Sequence, residues 1–163
     1  MIEDIYDLIK EDDRDGLEKL YDEIGQENFN ELLPLDYLTK DESESNFPKS
    51  EWVLEFFDDK GYKMNTNTFD IALDKGINEL IEYLFFEKST YLHFAPDIAA
   101  ELRYFHCLEC LANLNFYKKD INNHWKKCRR QQKNFIFNDE TLQAAKFGGC
   151  PDCTEFVLEM LDP

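Results

Sequence analysis

The sequence predicts an all-α protein: a short solenoid of about four stacked helix-turn-helix units, with a basic helical segment inserted near the third junction. Three observations carry that prediction. Apolar residues recur at intervals of three and four in "IYDLIKEDD", "LEKLYDEI", "SEWVLEFFDD", "NELIEYLFF", "PDIAAELRYFHCLECLANL" and "DCTEFVLEML", whereas the alternation of a half-buried strand is nearly absent. The helical stretches are short and are separated by turn-forming punctuation such as "LPLD", "NFPKS", "DKGYKMNTNT" and "HFAPD". A small residue, a tight position four later and an apolar residue four after that recur along the chain.

Taken in order, the units run over approximately 1–35, 36–66, 67–94 and 95–163, within one domain of 163 residues. The first keeps the pattern as Ile9, Asp13 and Leu17 in "LIKEDDRDGLEKLYDEIG". The second, around "SEWVLEFFDD", conforms poorly, because "DESESNFPKS" before it holds a proline and little apolar content. The third is the clearest: Ala72, Gly76 and Leu80 in "FDIALDKGINELIEYLFF" match Ala145, Gly149 and Cys153 in "LQAAKFGGCPDCTEFVLEML", with Thr68 and Thr141 preceding their alanines by the same offset. Ala100, Tyr104 and Leu108 form a further copy with a bulky residue where glycine is expected. The alanine lets a second helix pack closely, and the glycine permits the tight turn joining the pair. Such a unit does not bury its own apolar face, so several must stack. The extra length before Ala145, near 117–134, reads as an additional basic helix, "YKKDINNHWKKCRRQQKN", anchored by Trp125.

"FDIALDKGINELIEYLFFEKS" and "TLQAAKFGGCPDCTEFVLEML" resemble the helix-turn-helix of the ankyrin repeat, and "DDKGYKMNTNTFDIA" resembles the end of one unit, its projecting turn and the entry to the next. The full T-P-L-H signature is missing, and the anchor intervals are irregular. Divergent repeats in a chain rich in Asn, Lys, Phe and Tyr are similar to those of large DNA viruses. The resemblance implies a non-enzymatic module that binds another protein through its projecting turns and inner-helix face. The contact residues expected on that basis are Tyr62 and Asn65 in "GYKMNTNT", Tyr91, His93 and Phe94 in "KSTYLHFAP", and Trp125 in the insertion, aromatic side chains on turns being common interface anchors.

Charge narrows the partner. A net charge of −17 repels phosphates from most of the surface, which disfavours nucleic acid and favours a protein with a basic surface. The charge is uneven: residues 1–59 carry twenty acids against five basic groups, while Lys118, Lys119, Lys126, Lys127, Arg129, Arg130 and Lys133 face only Asp120 in their segment. The opening "MIEDIYDLIKEDD" has acids where a secretory signal needs basic residues, and no apolar run approaches the roughly 18–20 residues of a membrane span. A monomeric, cytoplasmic chain with reduced thiols is therefore expected, its cysteine count of five being odd.

The cysteines also admit a metal reading. Cys107-x2-Cys110 followed by His124-x3-Cys128 approaches the ligand spacing of a zinc finger, which would make the chain a zinc-bearing nucleic-acid binder; Cys150-x2-Cys153 offers a second ligand pair. Against it, "CLECLANL" continues an apolar helix without a knuckle turn, so no metal is expected and the thiols read as packing residues. A third reading is an acidic inhibitor of a basic protein. G-x-G-x-x-G, Walker, G-x-S-x-G and H-E-x-x-H patterns are absent from the sequence, so no catalytic residue and no cofactor is expected.

Overall fold

The computed structural model describes residues 2–32, 51–62 and 64–162; "DESESNFPKS" and most of the second expected unit lie outside them. The chain forms two compact units, residues 1–71 and 72–163. The structure is mostly helical, and the one sheet among the described residues has two strands.

Unit 1–71 holds helices α1 (Ile2–Lys10), α2 (Arg14–Ile24), α3 (Gln26–Leu32) and α4 (Glu51–Asp59), and most of α5 (Thr66–Lys75). Its core is aromatic: Phe29, Phe56 and Phe57 are fully buried, with Tyr21 edge-on to Phe29 at 5.3 Å and Phe29 stacked on Phe57 at 5.8 Å. Trp52 donates its indole N–H to the Asp12 carboxylate. Lys60 bridges to Glu18 at 3.0 Å while lying over the Tyr21 ring.

Unit 72–163 holds the end of α5, then α6 (Asn78–Phe86), α7 (Ala95–Glu101), α8 (Phe105–Leu114), strands β1 (Tyr117–Lys119) and β2 (Trp125–Lys127), α9 (Asp139–Gly148) and α10 (Pro151–Leu161). The first helices of the last two pairs, α7 and α9, pack together, and α8 touches both α6 and α10. Leu80, Leu84, Leu108, Leu111, Cys153 and Val157 are buried between these elements.

Among the described residues the same turn joins four helix pairs. The amides of Asp13, Ile77, Tyr104 and Cys150 donate to the carbonyls of Leu8, Ala72, Ala99 and Ala145, five residues back. The residue before each donor is left-handed: Asp12 at φ 58°, Gly76 at 67°, Arg103 at 68° and Gly149 at 70°. This is the helix-ending motif that reuses carbonyls otherwise left over at a C-terminus. It places the residues of the four turns in a common register, which differs in part from the one read from sequence. Ala72 and Ala145 accept the closing hydrogen bond in their turns, and in the other two the acceptors are Leu8 and Ala99, one residue before Ile9 and Ala100. The shift by one arises because Asp12 and Arg103 adopt the left-handed turn at a cost of roughly 1–2 kcal/mol, so glycine does not mark it. Tyr104 instead opens α8, and its ring covers Gly76 while its hydroxyl donates to the Asp74 carbonyl at 3.0 Å.

The threonines have a structural reason as well. Thr68 and Asn65 exchange hydrogen bonds at the start of α5, with backbone amides donating to side-chain oxygens at 3.0 and 3.3 Å. Thr141 and Asn138 repeat the arrangement at the start of α9, at 3.0 and 3.1 Å. Reciprocal caps of this kind satisfy amides that have no partner within the helix. Thr141 adds a second role, donating its hydroxyl to Asp97 of α7 at 2.5 Å.

α9 approaches α7 closely at Gly148. A Cβ there would lie 2.5 Å from the Glu101 carbonyl oxygen and 3.0 Å from that of Ala100, both backbone atoms with nowhere to retreat. Gly148→Ala is expected to push the two helices apart and to cost about 1–3 kcal/mol, against the small gain that alanine normally brings inside a helix. Urea denaturation of the variant measures the difference; an unchanged midpoint would mean that α7 and α9 are not in contact.

The basic insertion is not a helix. β1 and β2 pair antiparallel, with Tyr117 opposite Lys127, Lys118 opposite Lys126 and Lys119 opposite Trp125. Its loop is decided by Asp120, whose carboxylate accepts the amides of Asn122 and His124 at 2.8 and 3.0 Å, and by Asn123, which takes φ 62°. Asp and Asn favour both features, and Tyr and Trp favour strands, so local turn chemistry prevails over the basic run.

Candidate functional site

The hairpin sits on a floor of aromatic rings. Trp125 stacks on Phe85 of α6 with centroids 4.3 Å apart and planes 26° apart, and Tyr117 meets Phe86 edge-on at 4.9 Å. Tyr91 and Phe135 complete the floor, 5.0 and 5.6 Å from Phe85. Alternation places Tyr117, Lys119 and Trp125 on the inner face, where the Lys119 ammonium lies 5.3 Å from the Trp125 ring centre. The outer face presents Lys118 and Lys126, both exposed.

Two asparagines tie the hairpin's base to α8. Asn115, 2% exposed, accepts the Phe135 amide at 2.7 Å and donates to the Phe135 carbonyl at 2.9 Å. Asn134 donates to the carbonyls of Leu114 and Tyr117 at 3.1 and 2.8 Å. His93 donates its Nδ1 proton to the Asn134 carbonyl at 2.8 Å, and the Ile136 amide donates to the His93 carbonyl. The platform is thus fixed from two sides. Among the described residues the Trp125 indole N–H has no acceptor although it is buried, a cost that the stacked rings must offset.

The expected contact residues divide accordingly. Tyr91, His93 and Trp125 come together at this platform, Tyr91 lying 5.3 Å from the His93 ring and 6.5 Å from Trp125. Phe94, next to His93 in the chain, opens α7 with 56% of its surface exposed. Tyr62 and Asn65 lie in unit 1–71: Tyr62 packs edge-on to Phe57 at 5.8 Å, and Asn65 is exposed while capping α5. Sequence reasoning did not single out Ile121 as an exposed apolar side chain. It stands at the hairpin tip with 97% exposure, beside the left-handed Asn123. The signal was present in "KDINNH", an Asp-led turn with an apolar residue inside it. Asp120, which shapes that turn, is held below its ordinary carboxyl value, chiefly by the His124 amide that it accepts.

The possible zinc ligands lie in different settings. Cys107 and Cys110 are buried on α8, the latter donating to the Glu82 carboxylate at 3.6 Å. His124 is exposed in the hairpin loop, and Cys128 is half-buried with its thiol directed to the Lys126 carbonyl. Among the described residues no three His, Cys, Asp or Glu side chains gather as a metal site. The expectation that every thiol is reduced is corrected at the last helix pair, where Cys150 and Cys153 form a disulfide.

Burial raises the Cys107 thiol from 9.0 to about 12; burial and then the Glu82 carboxylate push Cys110 up as well. An unfolded chain releases these protons near pH 9 while the folded chain retains them. Stability is therefore whole below about pH 9 and is expected to fall as pH rises from there toward 12, by at most about 1.4 kcal/mol per pH unit for each thiol. Denaturation midpoints between pH 8 and 11, compared with those of a Cys107→Ala and Cys110→Ala double variant, test this; equal slopes would refute it.

No protein-family model, curated protein or solved structure matches the chain. Among the described residues no helix is long and apolar enough to cross a membrane.

Proposed function

We propose that the chain is a non-enzymatic protein-binding module built of ankyrin-like helix pairs, and that its contact surface in unit 72–163 is the basic hairpin with Ile121 at its tip. The turn shared by the helix pairs supports the repeat reading. The single observation that carries the contact surface is the hairpin's outer face. Lys118 and Lys126 stand directly opposite one another, an arrangement that destabilises a two-stranded sheet, and among the described residues the relief shown is that of Lys126 by Asp120, at 3.5 Å. Beyond them the tip exposes an isoleucine almost completely. A hairpin shaped for its own stability would have neither feature, whereas a partner offering carboxylates around an apolar pocket would satisfy both. A protein with a basic surface, the partner that suits the chain's net charge, would engage its acidic remainder instead.

Affinity capture with the wild-type chain, Ile121→Ser and the double variant Lys118→Glu, Lys126→Glu tests the proposal. The expected result is one partner held by the wild type and lost about tenfold or more by both variants, with thermal melting unchanged. A partner retained equally by all three would refute the hairpin as the contact, and material released by nuclease would move the reading to nucleic acid.

A further inference from the structure

The chain has two C-x2-C segments, and the structure treats them in opposite ways. Cys107 and Cys110 lie within α8, buried and protonated, in settings that keep thiols unreactive. Cys150 is instead the residue before α10, with extended backbone at φ −107° and ψ 100°, and Pro151 opens the helix behind it. That conformation brings its sulfur to Cys153, one turn inside the helix, with 5.2 Å between the Cα atoms. Cys153 donates its amide to the Cys150 sulfur at 3.1 Å.

The two sulfurs differ in access. Cys153 is fully buried, whereas Cys150 retains 8% exposure and lines an open groove with Lys146, Gly149, Pro151, Thr154 and Leu158. Exchange between a thiol and a disulfide needs a straight approach to one sulfur and a leaving group on the other. Here only Cys150 offers the approach. Once the pair is reduced, the amide donated to the Cys150 sulfur at the positive end of an eleven-residue helix favours the thiolate on Cys150 over that on Cys153.

We propose that Cys150 and Cys153 form a redox-exchange site at which a low-molecular-weight thiol attaches reversibly to Cys150. The incoming thiolate attacks the Cys150 sulfur, the bond between the two cysteines breaks, and its electron pair leaves on Cys153, which takes a proton from water. The product is a mixed disulfide at Cys150 and a thiol at Cys153. Attack by Cys153 reverses the step and expels the small thiol. Attack by a second small thiolate on the adduct instead releases the small molecule as its own disulfide and leaves the protein as a dithiol. Two thiols are then oxidised for the one protein disulfide reduced.

The test uses the full chain carrying Cys128→Ser, equilibrated with mixtures of reduced and oxidised glutathione, quenched with acid, alkylated and mapped by peptide mass spectrometry. The expected result is interconversion of the 150–153 disulfide and dithiol under conditions that leave the fold intact by circular dichroism, while Cys107 and Cys110 stay unmodified. Adding Cys153→Ala should trap glutathione on Cys150, on the order of tenfold or more above Cys107 and Cys110, and Cys150→Ala should leave Cys153 without an adduct. Reduction of the pair only upon unfolding would overturn the proposal in the Cys128→Ser chain, without recourse to the further variants. So would adduct distributed equally among the cysteines of a folded Cys153→Ala chain.

Discussion

Phe85→Ala is expected to destabilise unit 72–163 by about 3–5 kcal/mol and to release the hairpin from it. Phe85 is fully buried, and its ring touches those of Phe86, Tyr91, Trp125 and Phe135, four contacts that belong to three separate stretches of chain. Truncation therefore does more than remove transfer energy. It opens a cavity whose walls belong to elements that do not collapse together, which is the situation in which large-to-small changes cost most. Two observables separate the local from the global loss. Denaturant unfolding gives the total, and in a Trp52→Phe background the emission of Trp125 reports the hairpin alone. A wavelength that stays blue in Phe85→Ala would show that the stack does not hold Trp125.

Asn115→Ala is expected to cost about 2–6 kcal/mol, from two hydrogen bonds at buried groups worth roughly 1–3 kcal/mol each. The Asn115 side chain makes both bonds to Phe135, one as acceptor and one as donor, and its own carbonyl accepts the Gln132 amide at 2.6 Å. Asn115→Asp is the sharper comparison. It keeps the acceptor, replaces the donor with an oxygen facing the Phe135 carbonyl, and places a charge where only 2% of the residue is exposed. The order of stability should be wild type, then alanine, then aspartate at neutral pH, with the aspartate variant recovering part of its loss in acid. Amide hydrogen exchange at Phe135 should accelerate in both. Equal stability of all three would show that the segment after the hairpin is not pinned to α8.

The helices and the Ala72 and Ala145 turns were legible because each rests on local chemistry: an apolar stripe, a small residue, a glycine in the left-handed conformation. The other two turns were misread by one residue, because Asp12 and Arg103 bear a conformation that their side chains do not advertise. Trp125 was legible as the anchor of the insertion, since a lone tryptophan in a basic run has few other roles. The hairpin around it was not, because seven cationic side chains masked a turn set by Asp120 and Asn123. Phe85, Phe135 and Asn115 were invisible as parts of one platform. They are separated by up to fifty residues, and no short-range pattern records that they meet.

That separation has a consequence in time. The turn within each helix pair closes between residues five apart, a distance the chain searches almost at once, whereas Phe85 finds Trp125 across forty residues and Phe135 across fifty. Contacts of long span carry a larger closure entropy and form later. The helix pairs of unit 72–163 are therefore expected to assemble first, with the hairpin docking onto a floor already half built. Run backwards, the same order predicts that the hairpin opens before the helices melt, so the surface proposed to meet a partner is also expected to be the part of the unit with the shortest lifetime in its closed state.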